Sequence, residues 1–304
     1  SMQITTFPTV QPFHTLPIEY PFLTIIVFTS GLITTQENYQ IAFAFGMVFI
    51  AGIIYFVIQR CRSTQAAIAF VVYLVLGSWA TAAGRFDLAP ATLTIGAIIL
   101  AGRARWKSAF SLLALATLLK FYPVMLILPF LIAQQKQSKS RWISWQRWQA
   151  LGIFLGICIG ITLISFTVTF DGTLSPIHYF IDRPIEVESL SGSLLWLGSF
   201  VGYPVDDKVS FQSFNWVSPL SLQVSILGIL CLVAGILYIS WLQWRGNIDI
   251  YRASLLMLLI ILATGKVFSA QYIIWVTPLV AYEGKCNWKW LMSWGSICLL
   301  TTII

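Results

Sequence analysis

Long apolar runs with almost no charge follow one another along most of this chain, and they leave few ways for it to fold. They cover about residues 21 to 35, 40 to 59, 66 to 84, 88 to 101, 108 to 119, 123 to 133, 149 to 168, 220 to 243, 253 to 265, 267 to 282 and 290 to 304. With 58% hydrophobic and only 10% charged residues, and a mean hydropathy of +0.83, a 34.1 kDa water-soluble globule could not bury them. The sequence therefore predicts an all-α, multi-pass integral membrane protein of the cell membrane, with residues 1–304 forming one transmembrane domain. The opening Ser1-Met2 pair and the apolar run that stops at Ile304 lead us to expect a longer natural chain, cut short at both ends.

Several runs hold only 12 to 16 residues. At 1.5 Å per residue that is ~18 to 24 Å, short of a ~30 Å hydrocarbon core. Short helices broken at proline suit the lining of a cavity, and they predict a bundle with broken and re-entrant members, since irregular backbone at membrane depth must be satisfied by protein or water. The basic residues orient the bundle. Arg60, Arg62, Arg103, Arg105, Lys107, Lys136, Lys139, Arg141, Arg147, Arg245, Arg252, Lys285 and Lys289 fall in loops that can all be cytoplasmic, accompanied only by Asp249 and Glu283. That topology places Arg85, Asp87, Lys120, the loop 169–219 and Lys266 together on the non-cytoplasmic face. It would leave Glu19 cytoplasmic unless the first apolar run is re-entrant or lies at the interface, as its flanking Pro17 and Pro21 allow.

The loop 169–219 is the longest stretch outside the apolar runs, and long loops tend to carry function. Within it, His178 to Trp196 mixes charge with aromatic and aliphatic residues, which predicts a helix lying at the membrane surface.

Four junctions on the non-cytoplasmic face carry cations: Arg85-Phe-Asp87, Lys120-Phe-Tyr122, Asp182-Arg183-Pro-Ile-Glu186-Val-Glu188 and Lys266-Val-Phe-Ser-Ala-Gln271-Tyr272. One explanation is structural: the cations snorkel to the interface and pair locally, Arg85 with Asp87 and Arg183 with Asp182. The other is that Lys120, Arg183, Lys266 and Arg85 bind a phosphate at the bilayer surface. Glu19, Asp87, Glu186 and Glu188 then become candidates for a base that takes the proton of an attacking hydroxyl.

Other chemistry is not signalled. There is no phosphate-cradling Gly-Lys loop, dinucleotide fingerprint, paired-histidine metal motif or nucleophile elbow. His14 and His178 stand apart, and Cys61, Cys158, Cys231, Cys286 and Cys298 show no paired spacing, so neither a metal site nor a disulfide framework is expected. The net charge of +7 belongs to cytoplasmic loops rather than to a nucleic-acid partner.

Five segments in order resemble glycosyltransferase family 87, of the GT-C fold: Pro12-Phe-His-Thr-Leu-Pro-Ile-Glu19-Tyr20-Pro21, Arg85-Phe-Asp87-Leu-Ala-Pro90, Leu119-Lys120-Phe-Tyr122-Pro123, Arg183-Pro-Ile-Glu186-Val-Glu188-Ser189 and Lys266-Val-Phe-Ser-Ala-Gln271-Tyr272-Ile-Ile-Trp275. The likeness runs from about residue 10 to the end. It departs from the family's pattern at Phe22 and Ala270, each standing where the family often has proline.

The resemblance implies an inverting, multi-pass hexosyltransferase. Such an enzyme takes a sugar, typically mannose, from a polyprenyl phosphate and passes it to a lipid or glycan hydroxyl on the outer face, among membrane lipids. It needs no nucleotide cofactor; a divalent metal could serve but is not indicated. Lys120, Tyr122, Arg183, Lys266 and Gln271 fall at motif positions facing the donor phosphate or sugar, and Glu19, Asp87, Glu186 and Glu188 at acidic positions. The family's first helix and the start of its first external loop, where its catalytic aspartate is expected, find no counterpart in this sequence, so that either the aspartate lies in a missing piece, another acid substitutes, or the chain is inactive as given. A transporter or flippase for a lipid-linked sugar or another anion is the alternative, since intramembrane cations and broken helices also mark substrate pathways. A purely structural membrane subunit would explain the hydrophobicity but not the one-sided junctions.

Overall fold

The computed structural model describes residues 20–29, 36–77, 79–138 and 144–303. Glu19, His14 and the rest of the segment before Tyr20 lie outside the described residues. In chain order the helices are α1 (Thr24–Thr29), α2 (Tyr39–Cys61), α3 (Thr64–Gly77), α4 (Trp79–Gly84), α5 (Leu88–Gly102), α6 (Trp106–Leu119), α7 (Ile127–Gln137), α8 (Trp145–Val168), α9 (Phe170–Asp182), α10 (Leu190–Ser199), α11 (Ser221–Arg245), α12 (Ile250–Thr264), α13 (Ile273–Gly284) and α14 (Trp288–Ile303). Three short strands, β1 (Ile185–Glu186), β2 (Asp206–Ser210) and β3 (Ser213–Val217), form a small antiparallel sheet in the order β1-β3-β2. The chain is thus predominantly helical, as the apolar runs predict.

Helices α2, α8 and α11 are long and apolar enough to cross a membrane. Much of α8 and α11 is exposed: Leu155, Ile159, Leu163, Leu230, Val233 and Leu237 all point away from the bundle. Contiguous apolar surface on this scale needs an apolar surrounding.

The core is centred on α13. All its residues except Glu283 are buried, enclosed by α3, α5, α12 and α14. A helix apolar on every side belongs in the middle of a bundle rather than on its surface. Helices α5 and α6 form an antiparallel hairpin across the tight turn at Arg103 to Arg105, with α8 packed on α6. The hairpin returns the end of α6 to the end of the molecule where α5 begins, which is how Asp87 and Lys120 come to meet.

Between α8 and α11 the structure departs from the single surface helix expected over 178 to 196. The helix ends at Asp182, and Pro184, which has no backbone N–H to continue it, leads into β1; α10 starts afresh at Leu190. The strongly amphipathic element is α9, one position-set earlier, with Phe170, Ile177, Phe180 and Ile181 exposed along it. The β2–β3 hairpin was not foreseen. Its two turn residues, Phe211 and Gln212, both take the left-handed conformation of a two-residue hairpin turn. Buried Asn215 braces that turn, donating from Nδ2 to the carbonyl oxygens of Ser210 (2.8 Å) and Ser213 (3.0 Å).

Candidate functional site

Asp87 sits at the N-cap position of α5, where a short acidic side chain usually accepts from the backbone N–H groups of the first turn. It makes no such bond. Its carboxylate turns inward instead and is fully buried. Oδ1 receives Nζ of Lys120 at 2.5 Å and the indole Nε1–H of Trp275 at 2.5 Å. Oδ2 has no hydrogen-bond partner. Pro90, in the first turn of α5, costs the helix nothing there because that N–H has no intrahelical acceptor.

Lys120 follows the last residue of α6 in extended conformation, and Pro123 then opens the 3-10 turn Tyr122–Leu126. The break frees its side chain to cross to Asp87. Four rings enclose the ammonium: Trp275 at 4.7 Å, Phe86 at 5.2 Å, Tyr272 at 5.4 Å and Tyr20 at 5.7 Å from their centroids. Ring faces carry negative potential, so this box stabilises a cation that has little water around it. The aromatic residues also stack on one another. The ring of Trp275 lies 4.3 Å from Tyr122, at an interplanar angle of 2°, and 4.1 Å from Tyr272. Thr94 Oγ1 and the Tyr122 hydroxyl are 3.1 Å apart, fixing the outer ring of the stack.

A second polar cluster adjoins the first. Arg183 Nη2 meets Glu186 Oε1 at 2.7 Å, while Glu186 Oε2 accepts from the backbone N–H of Phe268 at 2.9 Å. The backbone N–H of Glu186 donates to the carbonyl of Lys266, also at 2.9 Å. Strand β1 is therefore clamped to the turn between α12 and α13. Burial pushes the Glu186 carboxyl above the usual carboxylate range, and the Arg183 guanidinium opposes this without overcoming it. Burial likewise lowers the Lys266 ammonium below the ordinary lysine range; its Nζ donates to the carbonyl of Ile181 at 2.8 Å. The two clusters meet at Tyr272, whose phenol is within electrostatic reach of Arg183, Glu186 and Asp87.

Most of the residues expected from the sequence are therefore brought to one end of the bundle, but in different pairings. Asp87 is neutralised by Lys120 rather than by Arg85, because α5 buries the acid while Arg85 stays exposed. Arg183 pairs with Glu186 rather than with exposed Asp182. Lys120 is thus committed to a carboxylate rather than held open for a phosphate. Glu188 and His178 are exposed, and Gln271 buries its Oε1 without a hydrogen-bond partner. No cluster of metal-ligating side chains occurs among the described residues.

Trp275, Tyr272, Phe86 and Tyr20 complete the site and were not singled out from the sequence. The signal for the first two was the spacing of three residues, which puts Tyr272 and Trp275 on one side of the turn that opens α13. In chemical terms, the site offers a buried carboxyl with one oxygen unpartnered among the described residues, a stack of three aromatic rings that ends on part-exposed Tyr272, and cations beside it. Compared with known proteins, the chain matches no family model, no curated protein and no solved structure.

Proposed function

We propose that this chain is a multi-pass integral membrane protein of the cell membrane that transfers a sugar from a polyprenyl phosphate to a lipid or glycan hydroxyl on the non-cytoplasmic face. Asp87 carries the proposal: it is a buried carboxyl whose Oδ1 accepts from Lys120 and Trp275, with Oδ2 unpartnered among the described residues. An ion pair this deep is costly to bury, which favours a purpose beyond stability.

In the proposed reaction the part-exposed rings Tyr20 and Tyr272 swing aside to admit the acceptor hydroxyl to the buried Asp87 Oδ2, which takes its proton as the oxygen attacks the anomeric carbon. The bond from that carbon to the carrier phosphate breaks, and its electron pair leaves with the phosphate. A single displacement of this kind inverts the anomeric centre. Arg183 and Lys266 stand closest to a role at the departing phosphate, whose negative charge grows in the transition state. Tyr272, the part-exposed end of the stack on Trp275 and Tyr122, gives the sugar a flat apolar face to lie on. Lys120 acts through Asp87 and is a positioning residue. Mannose is the sugar that the sequence resemblance favours.

The test is to reconstitute the protein in lipid vesicles with radiolabelled polyprenyl-phosphate mannose and a membrane lipid extract. A labelled product that disappears with Asp87→Asn supports transfer. Label that changes leaflet without entering a product would instead identify a flippase.

A further inference from the structure

At the end of the bundle opposite Asp87, two adjoining cavities open beside the turn between α5 and α6 and the start of α8. They measure about 390 and 350 Å³, and Lys107 and Gln149 line both. Arg105 and Lys107 stand exposed at the rim, and neither pairs with an acid among the described residues. Gln134 forms part of the wall and is only 7% exposed. Its Nε2 donates to the carbonyl of Arg147, but its Oε1 has no partner. A buried acceptor left unpaired bears its desolvation penalty uncompensated, so the site has an unmet need for a donor.

We propose that this cavity binds the headgroup of an anionic phospholipid that carries a free hydroxyl, of the phosphatidylglycerol kind. Arg105 and Lys107 meet the phosphate. A phosphate diester has only acceptors, so it cannot satisfy Gln134 Oε1; a glycerol hydroxyl on the same headgroup can. Choline has no donor. An ethanolamine ammonium could donate, but it would bring a second positive charge up to Arg105, Lys107 and the buried guanidinium of Arg147.

The route for the acyl chains continues from the cavity. The exposed Trp145 ring lies over Gly152 on α8, and beyond it Ile159 and Leu163 are exposed along the same helix. Tryptophan beside basic residues is typical of the headgroup level, and basic pockets between helices on the cytoplasmic side are where anionic headgroups dock. The proposal rests on the membrane-spanning part of the proposed function and is independent of sugar transfer.

The experiment is lipid retention by the full chain in mixed-lipid nanodiscs, read by native mass spectrometry. Phosphatidylglycerol should be retained about tenfold over phosphatidylcholine and phosphatidylethanolamine, and also over phosphatidylmethanol, an anionic diester that has the phosphate without any hydroxyl. Gln134→Leu should erase the preference for phosphatidylglycerol over phosphatidylmethanol. Lys107→Ala, at an exposed position that does not threaten folding, should weaken retention of both. Displacement of the lipid by glycerol phosphate in solution would assign the site to a soluble ligand and overturn the proposal. So would an inserted protein that holds phosphatidylglycerol no better than phosphatidylcholine. A chain that does not enter bilayers would overturn the membrane-spanning reading first and this proposal with it.

Discussion

Nζ of Lys120 lies 2.5 Å from Oδ1 of Asp87, on a carboxylate with no exposed surface, although the two residues stand 33 positions apart, at the first and last turns of a helical hairpin. The pair holds the start of α5 to the end of α6.

Removing only one member should be worse than removing both. Lys120→Met leaves an uncompensated buried carboxylate and should cost about 3 to 5 kcal/mol. The double variant Asp87→Asn/Lys120→Met should recover most of that stability while remaining inactive in sugar transfer. Thermal unfolding in nanodiscs, run beside the product assay, checks both halves. Lys120→Met melting at the wild-type temperature would show that the ammonium has no structural role at Asp87.

Trp275 donates its indole N–H to Asp87 and is the middle ring of the stack with Tyr122 and Tyr272. Trp275→Phe keeps a ring and loses the donor. A hydrogen bond to a charged group is worth about 1.5 to 3 kcal/mol, and loss of this one should fall on kcat, leaving KM for the donor within a few-fold of wild type. Trp275→Leu also removes the ring that backs Tyr272 and should raise KM. Equal effects of the two variants on both constants would separate the indole from both roles.

The helical class and the gathering of charged junctions on one face were legible in the sequence, because apolar length and the bias of basic loops report directly on topology. The pairings were not. Whether Asp87 meets Arg85 or Lys120 depends on the rotation of α5, which buries one end of Arg85-Phe-Asp87 and exposes the other, and hydropathy cannot fix that rotation. Trp275 stayed hidden because a tryptophan in an apolar run looks like core. The β2–β3 hairpin stayed hidden because Asp206-Asp-Lys-Val-Ser210 has too little alternation to reveal a strand, and its turn uses Phe211 and Gln212 where glycine or asparagine would have marked it.

Glu186 makes the loop sensitive to pH. Its carboxyl is raised by burial, against the pull of Arg183, so between the ordinary carboxylate range and the raised value the folded state binds more protons than the unfolded chain. Stability from this group is therefore complete below the ordinary range and falls as pH rises through the raised value. Amide exchange at Phe268, whose N–H bonds to Glu186, should follow that decline from about pH 4 upward. Glu186→Gln should flatten the dependence. Arg183→Met should carry the decline to higher pH, because it removes the cation that holds the carboxyl down; a shift to lower pH would contradict the assigned cause.

The cysteines provide a test of topology. Cys286 is exposed in the turn between α13 and α14, with its thiol donating to the Gln65 carbonyl at 3.1 Å, beside the Arg62–Glu283–Arg252 group. Cys231 is exposed too, but on the apolar flank of α11, where lipid rather than water would cover it. A membrane-impermeant maleimide should therefore modify Cys286 in inside-out vesicles and spare Cys231 until detergent is added. Lys208→Cys, in the exposed β2 strand, should react only from the other side, in right-side-out vesicles. That outcome sets the Asp87 end of the bundle opposite the basic loops. Labelling of Cys286 and of the Lys208→Cys position from the same face would place the loop 169–219 with the basic loops and rule out a polyprenyl-phosphate donor reaching Asp87 from the outer leaflet.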